Sequence, residues 1–103
     1  MAHLNALDLD VLQAPYGWQV TAVGPGRGRR AKPSLHPGDV IVELHSEIPF
    51  STSVEGQARI AAARRAELRV PTDLAALNTA CSTEVRLMVR RGHPPRLIQV
   101  MIR

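Results

Sequence analysis

Residues 34–44 read Ser-Leu-His-Pro-Gly-Asp-Val-Ile-Val-Glu-Leu. Pro37-Gly38-Asp39 has the composition of a tight turn, because proline fixes its φ angle, glycine tolerates positive φ and aspartate can accept hydrogen bonds from nearby backbone N–H groups. The run from Val40 to Leu44 is rich in β-branched residues and is typical of a strand. A turn that leads directly into a strand is therefore the strongest structural signal in the chain.

Four further segments alternate apolar and polar residues with the period of two that a half-buried strand requires. Residues 6–12 and 18–23 flank the turn-forming residues 14–17, so we predict a hairpin. Residues 85–89 and 97–102 flank a loop that contains glycine and two prolines, which predicts a second hairpin. Strands that are joined in this way form an antiparallel sheet.

Two segments have the pattern of a helix. Ser51-Thr52-Ser53 offers N-cap residues before an Ala- and Arg-rich stretch, which predicts a helix over 53–66. Thr72-Asp73 predicts a second helix over 73–81 by the same capping chemistry. Hairpins with two inserted helices indicate an α+β domain around a small antiparallel sheet.

Length and composition restrict the class of protein. The chain has 103 residues, of which 45% are hydrophobic, and this is enough for one domain with one core. The net charge of +4 comes mainly from the run Arg27 to Lys32 and from residues 84–103. We interpret the first run as a solvent-exposed loop, since charge runs usually face water, and we expect no nucleic-acid partner.

The residues that could support catalysis or metal binding are scattered. His3, His36, His45 and His93 lack the spacing of a metal site, and Cys81 falls late in a predicted helix, where a thiol is usually inert. We therefore expect no enzymatic activity, no metal and no cofactor. A single cysteine favours a reducing compartment, and the sequence contains neither a signal peptide nor a membrane span, so we predict a cytoplasmic location.

The order of these segments resembles a PDZ domain. In that family a strand ending in Pro-Gly is followed by a short turn, the pattern Leu-x-x-Gly-Asp-x-Ile and a further strand, which is similar to residues 17–26 followed by 34–44. Residues 73–102 are similar to the family's groove helix and last two strands, in the arrangement of bacterial-type quality-control and tail-specific proteases. The resemblance implies a small, partly open antiparallel β-barrel capped by two helices.

The chain departs from the family pattern at three places. The run Arg27 to Lys32 replaces a small-residue pair, and residues 46–71 are an atypical insertion with the predicted helix. We therefore describe residues 1–103 as a single PDZ-like domain with an inserted helical segment at about 46–71. The third departure concerns the loop that binds a ligand carboxylate, where Ala6 stands in place of the usual glycine.

Two registers compete for that loop. In the first, Leu4-Asn5-Ala6-Leu7 forms the loop and the following strand lines the groove. In the second, Pro15-Tyr16-Gly17-Trp18 supplies the usual glycine, but only one strand then remains before Gly38-Asp39. We prefer the first register because it supplies the required number of strands.

The resemblance implies that the protein binds an extended peptide. In PDZ domains the peptide adds as a strand between a sheet edge and a helix, and loop amides bind its C-terminal carboxylate, which is a form of β-augmentation. The expected partner is a protein or peptide, for instance a C-terminal tail. The residues that the resemblance places at the peptide site are Leu4, Asn5, Ala6, Leu7, Asp8, Leu9, Leu74, Ala75 and Asn78.

Three alternatives remain open at the level of sequence. The carboxylate site could be degraded, with the domain acting as a scaffold that docks another protein through its 46–71 insertion. The basic residues of 27–32 could bind RNA or phosphate together with Arg86, Arg90 and Arg91. The chain could also be the regulatory domain of a larger protease.

Overall fold

The computed structural model describes residues 2–47 and 70–103. The predicted helix over 53–66 and most of the inserted segment at 46–71 lie outside these residues. Within the described ranges, no helix is long and apolar enough to span a membrane.

The described residues form a six-stranded antiparallel sheet in which the strands follow one another in chain order. The sheet is open rather than closed into a barrel. One α-helix accompanies it within the described residues, together with one turn of 3-10 helix. The elements are β1 (Ala2–Leu4), β2 (Leu9–Ala14), β3 (Gly17–Val23), the 3-10 helix (Arg27–Arg30), β4 (Val40–Ser46), α1 (Leu74–Ala80), β5 (Val85–Arg91) and β6 (Arg96–Ile102).

Most of the predicted elements are confirmed. The hairpins β2–β3 and β5–β6 form as expected, and α1 occupies the predicted range of 73–81 to within a residue at either end. Two expectations were wrong in detail. Residues 6–8, predicted to begin a strand, belong to a turn, and part of the basic run forms the 3-10 helix instead of an irregular loop.

The core lies on one face of the sheet, where buried residues alternate along β2 and β5. The pattern is clearest in β5, where Val85, Leu87 and Val89 are buried while the residues between them are more accessible. Leu77 and Ala80 of α1 join the same cluster. The apolar alternation seen in the sequence therefore selects this core-facing side.

The predicted turn at Pro37-Gly38-Asp39 forms as the sequence indicates. The Asp39 N–H donates to the carbonyl of His36 (3.1 Å), and Gly38 has a φ of 97°, which suits glycine at the third position of a turn with proline second. Val20 of β3 makes two backbone hydrogen bonds to the turn, through Gly38 N–H and the carbonyl of Asp39, each 2.7 Å. The turn is thus joined to the sheet before β4 begins.

Asp39 connects this turn to the end of β5, the strand that pairs with β4. Its side chain is almost fully buried, accepts the His36 N–H at 2.8 Å and receives two hydrogen bonds from the Arg91 guanidinium, from Nε at 2.8 Å and from Nη2 at 2.7 Å. Arg91 Nη2 also donates to the Ser34 carbonyl. Burial alone would raise the pKa of Asp39, but the hydrogen bonds from Arg91 and His36 outweigh it and hold that pKa below its usual value.

We expect Asp39→Asn to destabilise the protein by about 2–4 kcal/mol, because it leaves the Arg91 charge without its bidentate partner. Urea unfolding at pH 7 measures this loss. The control is Glu84→Gln at an exposed acidic position, which should change stability by no more than about 0.5 kcal/mol.

The lowered pKa of Asp39 means that its stabilisation is present above the unfolded-state pKa and is lost as pH falls through the folded-state pKa. The Asp39→Asn variant should therefore lose part of the acid sensitivity of the wild type. Equal midpoints for both variants would contradict the role of Asp39.

Candidate functional site

The edge of β2 and the helix α1 lie where the sequence places a peptide groove. β1 occupies this edge. It pairs antiparallel with β2 through Ala2 opposite Val11, His3 opposite Asp10 and Leu4 opposite Leu9, and it also contacts α1. Residues 2–4 therefore lie along the strand and against the helix, in the place expected for an added peptide.

Helix α1 is fixed by its N-cap and by its buried face. The Asp73 side chain accepts the N–H of Ala76 at 3.2 Å, which satisfies one of the free donors at the helix start. Leu77 is fully buried in the core, and Leu74 is partly buried and packs against it. Ala75, predicted to face the ligand, is exposed.

The loop predicted to bind a carboxylate uses its amides internally. The Ala6 N–H donates to Oδ1 of Asn78 on α1 at 2.6 Å. The N–H of Leu7 donates to the Leu4 carbonyl, and the N–H of Asp8 to the Asn5 carbonyl, both at 3.3 Å. Three amides of the loop are thus engaged by the protein, and Asn78 joins the loop to the helix.

The apolar side chains of the predicted loop belong to the core. Leu4, Leu7 and Leu9 are completely buried, and Ala6 packs against the same cluster. Asn5 is exposed in the turn. The structure therefore brings residues 4–9 and Asn78 together as the sequence indicates, but it places the leucines inside the protein.

The alternative loop at residues 15–18 has another role. Pro15 and Tyr16 form the two-residue turn between β2 and β3, where Ala14 pairs with Gly17. A Cβ atom at Gly17 would lie 1.8 Å from the carbonyl oxygen of Ile41. Glycine is thus required there by the close approach of β4, which accounts for the residue without a ligand.

Asp8 and Asp10 both contact the ring of His3. The His3 ring lies 2.8 Å from Asp10 through Nδ1 and 3.1 Å from Asp8 through Nε2. The other oxygen of Asp8 accepts the Gly26 N–H at 3.0 Å, so this residue also joins the loop before β2 to the glycine-rich loop after β3. Asp8 has a φ of 54°, a conformation that aspartate tolerates better than most residues.

The pKa of His3 is raised above its ordinary value. The main cause is the hydrogen bond to Asp10; desolvation comes next and lowers the pKa, and the charges of Asp10 and Asp8 and the hydrogen bond to Asp8 raise it further. The protonated ring is therefore favoured while it bridges the two carboxylates. This arrangement attaches β1 to β2 by charge in addition to backbone pairing.

Arg27 is a structural residue, and the expectation of a fully solvated basic run was wrong for it. Its guanidinium donates to four backbone carbonyls, those of Ala6, Cys81, Thr83 and Arg103. Arginine suits this position because it carries five donors in a fixed plane and a positive charge beside the C-terminal end of a helix. No local sequence signal marks this role, since the four carbonyls are distant along the chain.

Two cations of the proposed basic surface are engaged within the fold, because Arg27 donates hydrogen bonds to carbonyls and Arg91 donates to Asp39.

The thiol of Cys81 is fully buried, and burial raises its pKa to about 12, which agrees with an inert cysteine. Among the described residues, no three His, Cys, Asp or Glu side chains come together as a metal site requires.

A cavity of about 530 Å³ lies at the opposite end of β2, beside the β2–β3 turn. Trp18 lines it and donates its Nε1–H to the Pro71 carbonyl at 2.8 Å. Tyr16 and Leu97, two exposed apolar side chains, are also at its rim. None of the residues that the preferred register places at the peptide site lines this cavity, whereas residues 15–18 of the second register do.

The chain matches none of the protein-family models, curated proteins or solved structures with which it was compared.

We expect His3→Gln to destabilise the protein more at pH 5.5 than at pH 8.5. A raised folded-state pKa means that the stabilisation is fully present below the unfolded-state pKa, about 6.5, and is lost as pH rises through the folded-state pKa. Denaturant unfolding of the wild type and the variant at both pH values gives the comparison, with His93→Gln in an exposed loop as the control. A difference that is independent of pH would show that the carboxylates do not act on a charged ring.

Replacement of Arg27 by lysine should lower stability by about 1–2 kcal/mol, because a single ammonium cannot reach the carbonyls that the planar guanidinium serves. Thermal unfolding measures the loss, and Arg29→Lys in the same 3-10 helix is the matched control, since Arg29 is exposed. Equal stability of the two variants would place Arg27 in solvent.

Proposed function

We propose that this chain is a PDZ-like protein–protein interaction module that binds an extended peptide by β-augmentation between β2 and α1. The observation that carries the proposal is the position of β1, a short strand that pairs antiparallel with the edge of β2 beside the helix. Because the β2 edge already pairs with one antiparallel strand, its backbone N–H and C=O groups are placed to pair with a peptide that runs in the same direction as β1. In this binding mode main-chain hydrogen bonds supply affinity, and pockets for alternate side chains supply selectivity.

The chemistry of the groove suits one class of peptide. Leu74 of α1 is only partly buried, so it offers apolar surface on the helix to a ligand side chain. Asp8 and Asp10 lie at the β2 edge, where β1 presents a histidine to them. A ligand with a basic residue next to an apolar one therefore matches both features.

A second class of ligand is a segment from within a protein chain, which has no free C-terminal carboxylate. The hydrogen bonds within the loop of residues 4–7 favour this class. Because the amides of Ala6, Leu7 and Asp8 already donate within the protein, a terminal carboxylate gains fewer hydrogen bonds there than in a loop with free amides. Recognition then depends on strand pairing and side-chain pockets.

Titration of the ¹⁵N-labelled protein with a library of C-terminal peptides, each paired with its C-terminal amide, tests the proposal. We expect shifts of the backbone amides of Leu9–Ala14 and Leu74–Ala80 on addition of a binding peptide. Equal affinity for acid and amide would identify an internal segment as the ligand, whereas preference for the acid would identify a C-terminal tail. The absence of shifts in both elements would exclude the groove as the binding site.

The groove variant Leu74→Ala should weaken peptide binding about tenfold, because it removes apolar contact area from the wall. Thr79→Ala is the matched control on the same helix, because Thr79 is exposed and its hydroxyl donates only to the Ala75 carbonyl. Equal affinity of the two variants would place the ligand away from Leu74.

A further inference from the structure

β1 covers the part of β2 that an added strand needs. Its three residues take up the edge opposite Leu9, Asp10 and Val11, at the end of β2 that adjoins the loop. At the other end of the strand order, β6 pairs at Met101 with Lys32 through two backbone hydrogen bonds of 2.9 Å. A peptide can therefore pair with β2 at this point only where β1 is absent.

The side chains of β1 alternate as those of a bound peptide would. Leu4 is fully buried, Ala2 packs partly against the core, and His3 points away from both toward the two carboxylates. This strand thus fills the apolar position with leucine and the charged position with histidine. Its direction relative to β2 is antiparallel, as in β-augmentation by a peptide.

β1 is connected to β2 through residues 5–8, whose turn is closed by two backbone hydrogen bonds of 3.3 Å, and it is also held by the buried side chain of Leu4 and by contacts with α1. The ionisable groups that face His3 are Asp8 and Asp10, and α1 carries no ionisable side chain. The remaining strands pair with one another independently of β1. Release of residues 2–4 therefore withdraws Leu4 from the core but breaks none of the other strand pairings.

We propose that β1 is an internal ligand of the groove, which occupies the β2 edge and must be displaced before a peptide binds there. The inference rests on the proposed peptide-binding function and adds its regulation. A strand tethered through a four-residue loop competes at an effective concentration on the order of millimolar. The apparent association constant for an external peptide is then the intrinsic constant multiplied by the fraction of molecules in which β1 has left the edge.

A double variant, His3→Cys with Asp10→Cys, tests this by fixing or releasing β1 in a single protein. The two positions are directly opposite in the strand register, at the separation a disulfide spans, and both side chains are 45% exposed. Cys81 is buried and does not compete for the bond. The probe is a synthetic peptide that ends in Ala-His-Leu, the sequence of β1, and NMR titration is done on the oxidised and the reduced forms.

We expect the reduced form to bind the probe at least tenfold more tightly than the oxidised form, with shifts in β2 and α1. The wild type, titrated under both redox conditions, should show no difference. Equal binding by the oxidised form, with the same shifts, would overturn the inference and leave the peptide-binding function intact. Binding by neither form would also overturn it, and the function would then depend on the library titration alone.

Hydrogen exchange on the wild-type chain gives a second measurement that needs no cysteine variant. On saturation with a binding peptide from the library, the amides of residues 2–4 should lose protection while those of β2 keep or gain it. Retained protection of residues 2–4 in the complex would overturn the inference even if the double variant does not fold.

Discussion

The buried ion pair between Asp39 and Arg91 is the interaction on which the arrangement of the sheet depends. Asp39 directly precedes β4, at the end of a proline-glycine turn that is hydrogen-bonded to β3, and Arg91 ends β5. One bidentate contact therefore joins three consecutive strands and the segment that contains Ser34. A carboxylate buried to this extent is stable only because each of its oxygens is occupied by a donor. The same contact fixes the register in which β4 meets β5.

Much of the fold follows from the sequence, because its signals are local. The apolar pattern predicts β3 to β6, but in β4 the buried residues Ile41 and Leu44 do not alternate, because the register with β5 shifts between Ile41 and Glu43. The chemistry of proline, glycine and aspartate predicts the turn at 36–39. Asp73 predicts the start of α1 through its capping side chain. These features depend on residues within a few positions of one another, so a single sequence is sufficient to find them.

The parts that were not predicted depend on contacts between distant residues. The pairing of Asp39 with Arg91 and the four carbonyls held by Arg27 join segments that no periodicity connects. The short strand β1 was not predicted, since three residues are too few for a pattern, and only its last residue, Leu4, was placed in the predicted loop. For the candidate site, the structure shows a contact between Ala6 and Asn78, but the sequence does not indicate that Asn78 occupies a loop amide or that Asp8 and Asp10 face His3.

The order of the strands in the sheet has a consequence for how the chain folds. The β1–β2, β2–β3 and β5–β6 pairings join strands that are close in sequence, so each can form from contacts at short range. The β3–β4 pairing closes residues 24–39, and the β4–β5 pairing closes the longer stretch of residues 47–84, so the entropic cost of loop closure is greatest between β4 and β5. Asp39 and Arg91 lie on either side of that longest closure, so their ion pair forms only once it has been made.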